Sequence, residues 1–119
     1  MNDKALKKLE IINNMEQIET LLHLDHPFVN RVFDEFKQDN GKHCIVQEFF
    51  QNNTLEKVVQ RFKHSGKLMQ ESEILSYFIQ ISFALLYIHD MGIVHGNMKL
   101  SNIIYRDVGG KHMMRISDF

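Results

Sequence analysis

A long apolar segment from Glu71 to Met91 constrains the fold most, because it contains no proline or glycine and repeats apolar residues at helical spacing. The residues that form one predicted face of this helix and then widen it are Ile74, Phe78, Ile81, Leu85 and Ile88, followed by Leu75, Ile79 and Leu86. A helix that is apolar nearly all round is normally buried, so we expect it in the middle of a larger core. Gly92 is its expected C-terminal stop.

The composition is that of one globular domain without a strong charge preference. The chain has 119 residues, 44% hydrophobic and 24% charged, with 14 Lys and Arg against 15 Asp and Glu. This balance argues against nucleic acid or a membrane as a partner recognised by bulk charge, and no apolar run approaches the length of a membrane span. A polar N-terminus without a signal-peptide core and a single cysteine, Cys44, favour a cytoplasmic or nuclear location.

The N-terminal segment is predicted to be helical. Apolar residues recur at helical spacing over Lys4–Leu24, and Asp3 is a suitable N-cap. His26-Pro27 ends this predicted helix, because proline disfavours a helical residue before it.

Strand and turn signals occupy the next part of the chain. Two strand-like stretches, Phe28–Phe36 and Lys42–Phe50, flank Asn40-Gly41, which is a strong hairpin signal. Thr54 is the predicted N-cap of a short helix over Leu55–Lys63.

Short apolar runs follow the long helix, at Ile93-Val94, Asn102–Tyr105 and Met113–Ile116, around a Gly109-Gly110 turn that predicts a small β-hairpin. The predicted order is therefore helix, two strands, two helices and short strands. This order is typical of an α+β fold with two strand groups far apart in sequence.

The most informative motif begins at His95-Gly96-Asn97. Lys99 stands two residues after Asn97, Asn102 stands five after it, and the chain closes on Asp118-Phe119. This arrangement resembles the catalytic loop of protein kinases, which is His-Arg-Asp with Lys and Asn at the same two spacings, followed by Asp-Phe-Gly. Two fixed spacings and a following motif are far more specific than a single glycine pattern.

Upstream segments resemble the same family, from about Lys8 to Phe119. Gln17–Pro27 is similar to the end of the kinase regulatory helix, Cys44–Phe50 to the strand that leads into the hinge, and Glu71–His95 to the helix before the catalytic loop. The likeness is to Ser/Thr kinases of the NIMA-related branch. It implies an incomplete bilobal α+β fold, in which residues 1–119 are a partial kinase-like domain, with 1–50 from the small lobe and 51–119 from the large lobe.

The resemblance also implies roles for individual residues. Asp118 and Asn102 would hold Mg²⁺ at the phosphates of ATP, and Lys99 would neutralise the transferred phosphoryl group. Asn97 occupies the position of the catalytic base, and His95 would be structural, stacking under Phe119. The nucleotide-binding positions implied for the adenine ring and the gate of the pocket behind it are Gln47, Glu48, Phe49 and Phe50.

Several departures from the family pattern predict a loss of activity. Asn97 replaces the catalytic aspartate, and an uncharged amide is not a useful base. Gly96 replaces an arginine that receives an activation-loop phosphate in many kinases, and Gln17 stands where the regulatory helix has a glutamate. Because neither a Gly-x-Gly-x-x-Gly loop, a Val-Ala-x-Lys strand nor an activation segment is recognised, the chain is expected to be truncated at both ends relative to the family.

Three functions fit this sequence. The first is a fragment related to ATP-dependent Ser/Thr phosphotransferases and itself inactive; the second is a pseudokinase that serves as a binding or scaffold module. The third is a truncated gene copy without an independent function. The expected partner is a protein substrate or another protein, and ATP and Mg²⁺ binding is expected to be weak or absent.

Overall fold

The computed structural model describes residues 4–9, 15–48 and 53–117, which form two small sheets and three α-helices. In chain order the elements are β1 (Lys4–Leu9), α1 (Met15–His23), β2 (Val32–Lys37), β3 (His43–Glu48), α2 (Leu55–Ser65), α3 (Glu71–Asp90), a single 3₁₀ turn (Leu100–Asn102), β4 (Ile103–Val108) and β5 (Lys111–Ile116). The α+β class predicted from the sequence is confirmed. The predicted lobe boundary at residues 50 and 51 lies outside the described residues.

The first sheet has the order β1-β3-β2, and both pairings are antiparallel. The turn between β2 and β3 closes where the backbone N–H of Gln38 donates to the carbonyl of Lys42 at 2.8 Å. Gly41 lies in this turn at a φ of +83°, in the left-handed region that glycine adopts readily. The two predicted strands and the Asn40-Gly41 hairpin are therefore confirmed, although β2 begins at Val32 and not at Phe28. Phe49 and Phe50, the predicted end of the second strand, lie outside the described residues.

The N-terminal half of the first predicted helix is wrong. Residues of β1 pair with β3 from Lys4 opposite Glu48 to Leu9 opposite His43. Lysine, alanine and leucine favour helix locally, but β3 offers a row of backbone partners, and this non-local pairing overrides local propensity. Helix α1 begins only at Met15 and ends at His23, ahead of Pro27 as predicted. Asp3, its predicted N-cap, lies outside the described residues.

The two later helices follow the prediction closely. The Oγ1 of Thr54 accepts a hydrogen bond from the backbone N–H of Lys57 at 3.4 Å and caps α2. Helix α3 runs over Glu71–Asp90, and the N–H of Gly92 donates to the carbonyl of His89 at 3.0 Å just past its end. The expectation that no apolar run approaches the length of a membrane span is wrong, because α3 is long and apolar enough to cross a membrane by length and composition. The core helix of a water-soluble protein meets the same criterion.

The buried face of α3 differs in part from the predicted face. Its buried residues are Tyr77, Ala84 and Ile88, whereas Phe78 is 66% exposed and Ile74 is 50% exposed. Because apolar residues surround this helix, periodicity alone does not select the face that meets the core. The other apolar residues of α3 that are at least half exposed are Leu75, Ile79, Phe83 and Leu86.

The second sheet is the β4–β5 hairpin, and α3 packs on it. Gly109 and Gly110 both have positive φ, 59° and 84°, as a tight two-residue hairpin turn requires. The side chain of Gln80 fixes the helix to β5, since its Nε2 donates to the carbonyl of His112 at 2.9 Å and its Oε1 accepts from the N–H of Met114 at 2.8 Å. The predicted hairpin is confirmed, while Ile93-Val94 lies in the loop after α3.

The two sheets meet at the end of β5. Ile116 forms a parallel bridge with Val29. The N–H of Asn30 donates to the carbonyl of Ile116 at 2.9 Å, and the N–H of Ile116 donates to the carbonyl of Phe28 at 3.0 Å. The segment before β2 is therefore joined by its backbone to the strand that leads into Asp118.

Candidate functional site

The loop from His95 to Asn102 connects α3 to β4, and its own backbone closes it. The N–H of Asn102 donates to the carbonyl of Lys99 at 2.9 Å, within the 3₁₀ turn. The N–H of Ser117 donates to the carbonyl of Asn102, also at 2.9 Å. The end of this loop is thus tied to the residue directly before Asp118.

His95 holds the start of the loop from within the core. Its ring is buried, and its Nε2 donates to the carbonyl of Ser117 at 2.6 Å. Its Nδ1 accepts from the backbone N–H of Asn97 at 3.1 Å. These two bonds assign the proton to Nε2 of a neutral ring. They give His95 a structural task, while Phe119, its predicted stacking partner, lies outside the described residues.

Asn102 is buried and fixes the loop by its side chain. Its Nδ2 donates to the carbonyl of Asn97 at 2.9 Å. Because the nitrogen is committed to the loop, only Oδ1 is suited to ligate a cation, and amide oxygens are hard ligands of the kind that Mg²⁺ prefers. Asp118, the second predicted metal ligand, lies outside the described residues. Within the described ranges, no three His, Cys, Asp or Glu side chains are grouped as a metal site.

The side chains at the two predicted catalytic positions lie at the surface. Asn97 and Lys99 are both exposed, in contrast to the buried His95 and Asn102 of the same loop. The structure therefore brings Asn97 and Asn102 together through the Asn97 carbonyl and leaves the Lys99 side chain at the loop surface. The amide of Asn97 can donate and accept hydrogen bonds, but it cannot take up the proton of an attacking hydroxyl at neutral pH.

Gly96 adopts a backbone conformation that other residues avoid. Its φ is +71°, in the left-handed region. A Cβ built at this position meets no atom within 4 Å, so the cost of a side chain comes from the backbone and not from crowding. Glycine therefore allows the loop to turn between His95 and Asn97 without the strain that a Cβ would introduce here.

Replacing Gly96 with alanine should lower the free energy of unfolding by about 1 kcal/mol, because the left-handed conformation disfavours a Cβ. Asparagine tolerates this region better, so Gly96→Asn should cost less than Gly96→Ala. Urea unfolding followed by circular dichroism measures both. Equal stability of the alanine variant and the unchanged chain would contradict the assignment of strain to this residue.

The predicted hinge strand ends with its polar groups engaged. The N–H of Glu48 donates to the carbonyl of Arg31 at 3.2 Å, and the carbonyl of Glu48 accepts from the Nδ2 of Asn30 at 3.1 Å. The same Nδ2 donates to the Oε1 of Gln47, which is buried, at 3.3 Å. Phe49 and Phe50 lie outside the described residues, so the predicted contact of this strand end with an adenine ring stays a prediction.

The Glu48 carboxylate is directed to the second sheet. Its Oε2 accepts from the Nη1 of Arg115 at 2.5 Å, and its Oε1 lies 3.9 Å from the Nη1 of Arg106. Glu48 and Arg115 also line a cavity of about 360 Å³ beside the turn that carries His26. Burial lowers the pKa of the His26 imidazole in this turn, with a smaller opposing effect from Asp25. The Glu48 side chain thus links the two sheets.

Sequence reasoning missed two residues of this region. Asn30 is followed by Arg31 in the stretch from Phe28 to Val32, so the available signal was only an asparagine within a predicted strand, where this residue type is depleted. Arg115 has no such signal, since a charged residue in a hairpin strand is ordinary.

A third missed feature lies in β1. This strand carries Ala5-Leu6-Lys7, with Lys7 opposite Ile45 of β3 in the pairing register. The pattern fits the Ala-x-Lys part of the kinase strand whose lysine pairs with the nucleotide phosphates. The sequence analysis recognised no such strand, and the role of Lys7 stays a prediction. The assignment of this segment to a helix had hidden the pattern.

The family model described as protein kinase domain matches residues 1–119 of this chain. The chain is 37% identical over 105 residues to the probable serine/threonine-protein kinase nek1 of Dictyostelium discoideum, covering 82% of this chain and 21% of that protein. It is 29% identical over 125 residues to the serine/threonine-protein kinase Nek11 of Homo sapiens, covering 98% and 18%.

A plant relative gives the same result. The chain is 32% identical over 119 residues to the serine/threonine-protein kinase RHS3 of Arabidopsis thaliana, covering 98% of this chain and 23% of that protein. The chain thus spans about a fifth of the length of the curated relatives that it matches.

Proposed function

Because this chain belongs to the protein kinase family and is related to Ser/Thr kinases, we propose that it keeps the framework of the catalytic loop but does not transfer phosphate. The observation that carries this proposal is the pair of side chains that hold the backbone of Asn97. The Nδ1 of His95 accepts from its N–H and the Nδ2 of Asn102 donates to its carbonyl, while its own side chain is an amide. The backbone of Asn97 is thus fixed at the position of the catalytic base, but its side chain cannot act as a base.

Asn97 therefore accounts for the loss of the proton-transfer step. In the family, an aspartate at this position accepts the proton of the substrate hydroxyl. General-base catalysis contributes about 10²–10⁴-fold to a rate, so an amide here removes about 3–5 kcal/mol of barrier lowering. Gly96 and Gln17, which replace two further charged residues of the family pattern, act in the same direction.

Nucleotide binding is proposed to be weak but to use the family's positions. Lys7 would contact the phosphates, Lys99 would neutralise the outermost phosphate, and Gln47–Phe50 would meet the base. The Oδ1 of Asn102 and Asp118 would hold Mg²⁺, which would supply positive charge to neutralise the phosphates.

A binding or scaffold role is the second candidate, and the exposed apolar surface of α3 favours it. Phe78, Phe83 and Leu86 are each more than half exposed on this helix. Apolar patches of this kind mark interaction sites in proteins. A cytoplasmic location and a protein partner fit this candidate. The relatives named Nek support likeness to the NIMA-related branch.

Titration with Mg·ATP tests the nucleotide part of the proposal. We expect a dissociation constant of about 1 mM, which corresponds to about −4 kcal/mol. Chemical-shift changes in heteronuclear NMR spectra measure this constant. Asp118→Ala should weaken Mg·ATP binding and leave the binding of metal-free ATP unchanged. Lys7→Ala should weaken both, and Lys8→Ala serves as its matched control. A micromolar dissociation constant, or equal binding by all variants, would contradict the proposed site.

A further inference from the structure

The cavity of about 360 Å³ beside the ion pair of Glu48 and Arg115 is separate from the catalytic loop. Its walls come from the turn after α1, the segment that enters β2, β2 itself and the ends of β3 and β5. None of the described residues that line it belongs to the loop from His95 to Asn102. Its volume lies within the range of small-molecule sites, which is about 300–1,000 Å³.

The inner wall of this cavity is apolar. Leu24 and Val29 are each only 3% exposed, and the ring of Phe33 lies nearer the surface. An apolar group that displaces water from such a wall gains free energy. Because a dry cavity of about 150 Å³ already admits benzene, this cavity has room for an aromatic ring with a substituent.

Two polar side chains that line the cavity offer hydrogen-bond donors. The Nδ1 of His26 accepts from the backbone N–H of Phe28 at 3.1 Å, which assigns the proton of the neutral ring to Nε2. The guanidinium of Arg31 lies over the ring of Phe33, 5.5 Å from its centre, and this contact does not use its N–H groups. Among the residues that the structure describes, neither the Nε2 of His26 nor the guanidinium of Arg31 has a hydrogen-bond or ion-pair partner.

The carboxylates around the cavity do not cancel its positive charge. The two oxygens of Glu48 lie next to guanidinium groups, one at the Nη1 of Arg115 and the other 3.9 Å from the Nη1 of Arg106. The Asp25 side chain is exposed, so water and salt screen its charge. With Arg31 included, three guanidinium groups stand against two carboxylates in and beside the cavity. The excess charge is positive.

We propose that this cavity binds a small aromatic carboxylate, held by Arg31 and the imidazole of His26 while its ring packs on the apolar wall. A carboxylate accepts two hydrogen bonds in one plane, which suits the planar fork of a guanidinium. Its remaining lone pairs can accept from the imidazole N–H. The inference does not depend on the proposed function, since neither Arg31 nor His26 belongs to the proposed nucleotide site.

Titration with benzoate in the absence of nucleotide tests this proposal. The methyl signals of Leu24 and Val29 in NMR spectra measure binding at the inner wall, and those of Val108, which does not line the cavity, are the control. We expect a dissociation constant of about 1 mM. Benzamide has the ring without the charge, and acetate has the charge without the ring. Each should bind at least about fivefold more weakly than benzoate.

Three variants assign the charge to Arg31. Arg31→Gln should weaken benzoate binding about three- to fivefold and change benzamide binding less than about twofold. Arg61→Gln is the matched control, because Arg61 is an exposed arginine of α2 that does not line the cavity. Asp25→Asn should strengthen benzoate binding about twofold, since it removes a nearby negative charge. Arg31 and Asp25 are both exposed, so these variants should fold.

The outcomes distinguish a carboxylate site from weaker alternatives. Equal binding of benzoate and benzamide would show an apolar cavity only and would overturn the proposal. Equal losses in Arg31→Gln and Arg61→Gln would show general attraction to positive charge and would overturn it as well. Unchanged Leu24 and Val29 signals at about 20 mM benzoate, well above the expected dissociation constant, would also contradict it. A failure of Mg·ATP to bind would not affect these results.

Discussion

Replacing Ile88 with alanine should lower the free energy of unfolding by about 3 kcal/mol. Ile88 is fully buried on the face of α3 that meets the core. Met114 and Ile116 of β5 are also fully buried and belong to the same core. Truncation of the Ile88 side chain removes three carbon atoms and leaves a cavity. The surrounding helix and strand can relax to fill this cavity only in part. For a chain of this length the midpoint of thermal unfolding should fall by about 10 °C.

Leu86→Ala in the same helix is the matched control. Leu86 is 58% exposed, so its truncation should change the free energy of unfolding by less than about 0.5 kcal/mol. Chemical unfolding followed by circular dichroism measures both variants. A loss at Leu86 as large as the loss at Ile88 would mean that α3 packs by a different face from the one described.

Breaking the ion pair between Glu48 and Arg115 should cost about 2–3 kcal/mol, since either single change removes one charge of a mostly buried pair. The Glu48 and Arg115 side chains are only 16% and 21% exposed, and the pair joins the first sheet to the second. Glu48→Gln and Arg115→Gln keep the shape of each side chain and remove one charge each.

The double variant isolates the pair from its surroundings. With both charges removed, the loss should be smaller than the sum of the single losses by about 1–2 kcal/mol. Arg106→Gln is the control, because Arg106 is more exposed and lies 3.9 Å from the same carboxylate. Additive single losses would contradict a direct link between the sheets at this point.

The catalytic loop was predictable because its residues are close in sequence. A spacing of five residues from Asn97 to Asn102 allows one loop to bring the second side chain back to the first backbone, and the hydrogen bond at 2.9 Å realises this. Turn and cap signals at Asn40-Gly41 and Thr54 succeeded for the same reason. Local chemistry fixes local geometry.

Non-local partners explain the failures. Nothing within Lys4–Leu9 shows that β3 will pair with it, so helix propensity was misleading there. The face of α3 could not be selected from a helix that is apolar nearly all round. The Asn30 contacts depend on the end of a strand 17 residues away, and no local pattern specifies such a contact.

The pKa of Tyr77 illustrates the same limit. Its hydroxyl lies 2.9 Å from the Nδ1 of His112, and its pKa is raised to about 12, first by burial and then by Glu73 and Tyr105. These groups come from α3, β4 and β5. Only the packed helix and hairpin bring them together, so the sequence alone gave no reason to single out this tyrosine.

The decisive measurement is the incorporation of radiolabelled phosphate into a generic protein substrate such as casein, at matched protein concentrations. We expect no transfer by the unchanged chain and none by Asn97→Asp, since residues that act as a unit are not restored by repairing one of them. Asp118→Ala in each background exposes contaminating kinases. Transfer by the unchanged chain that disappears in Asp118→Ala would contradict the proposal that this chain does not transfer phosphate. Transfer that appears only with Asn97→Asp and disappears when Asp118→Ala is added would show that Asn97 alone prevents catalysis.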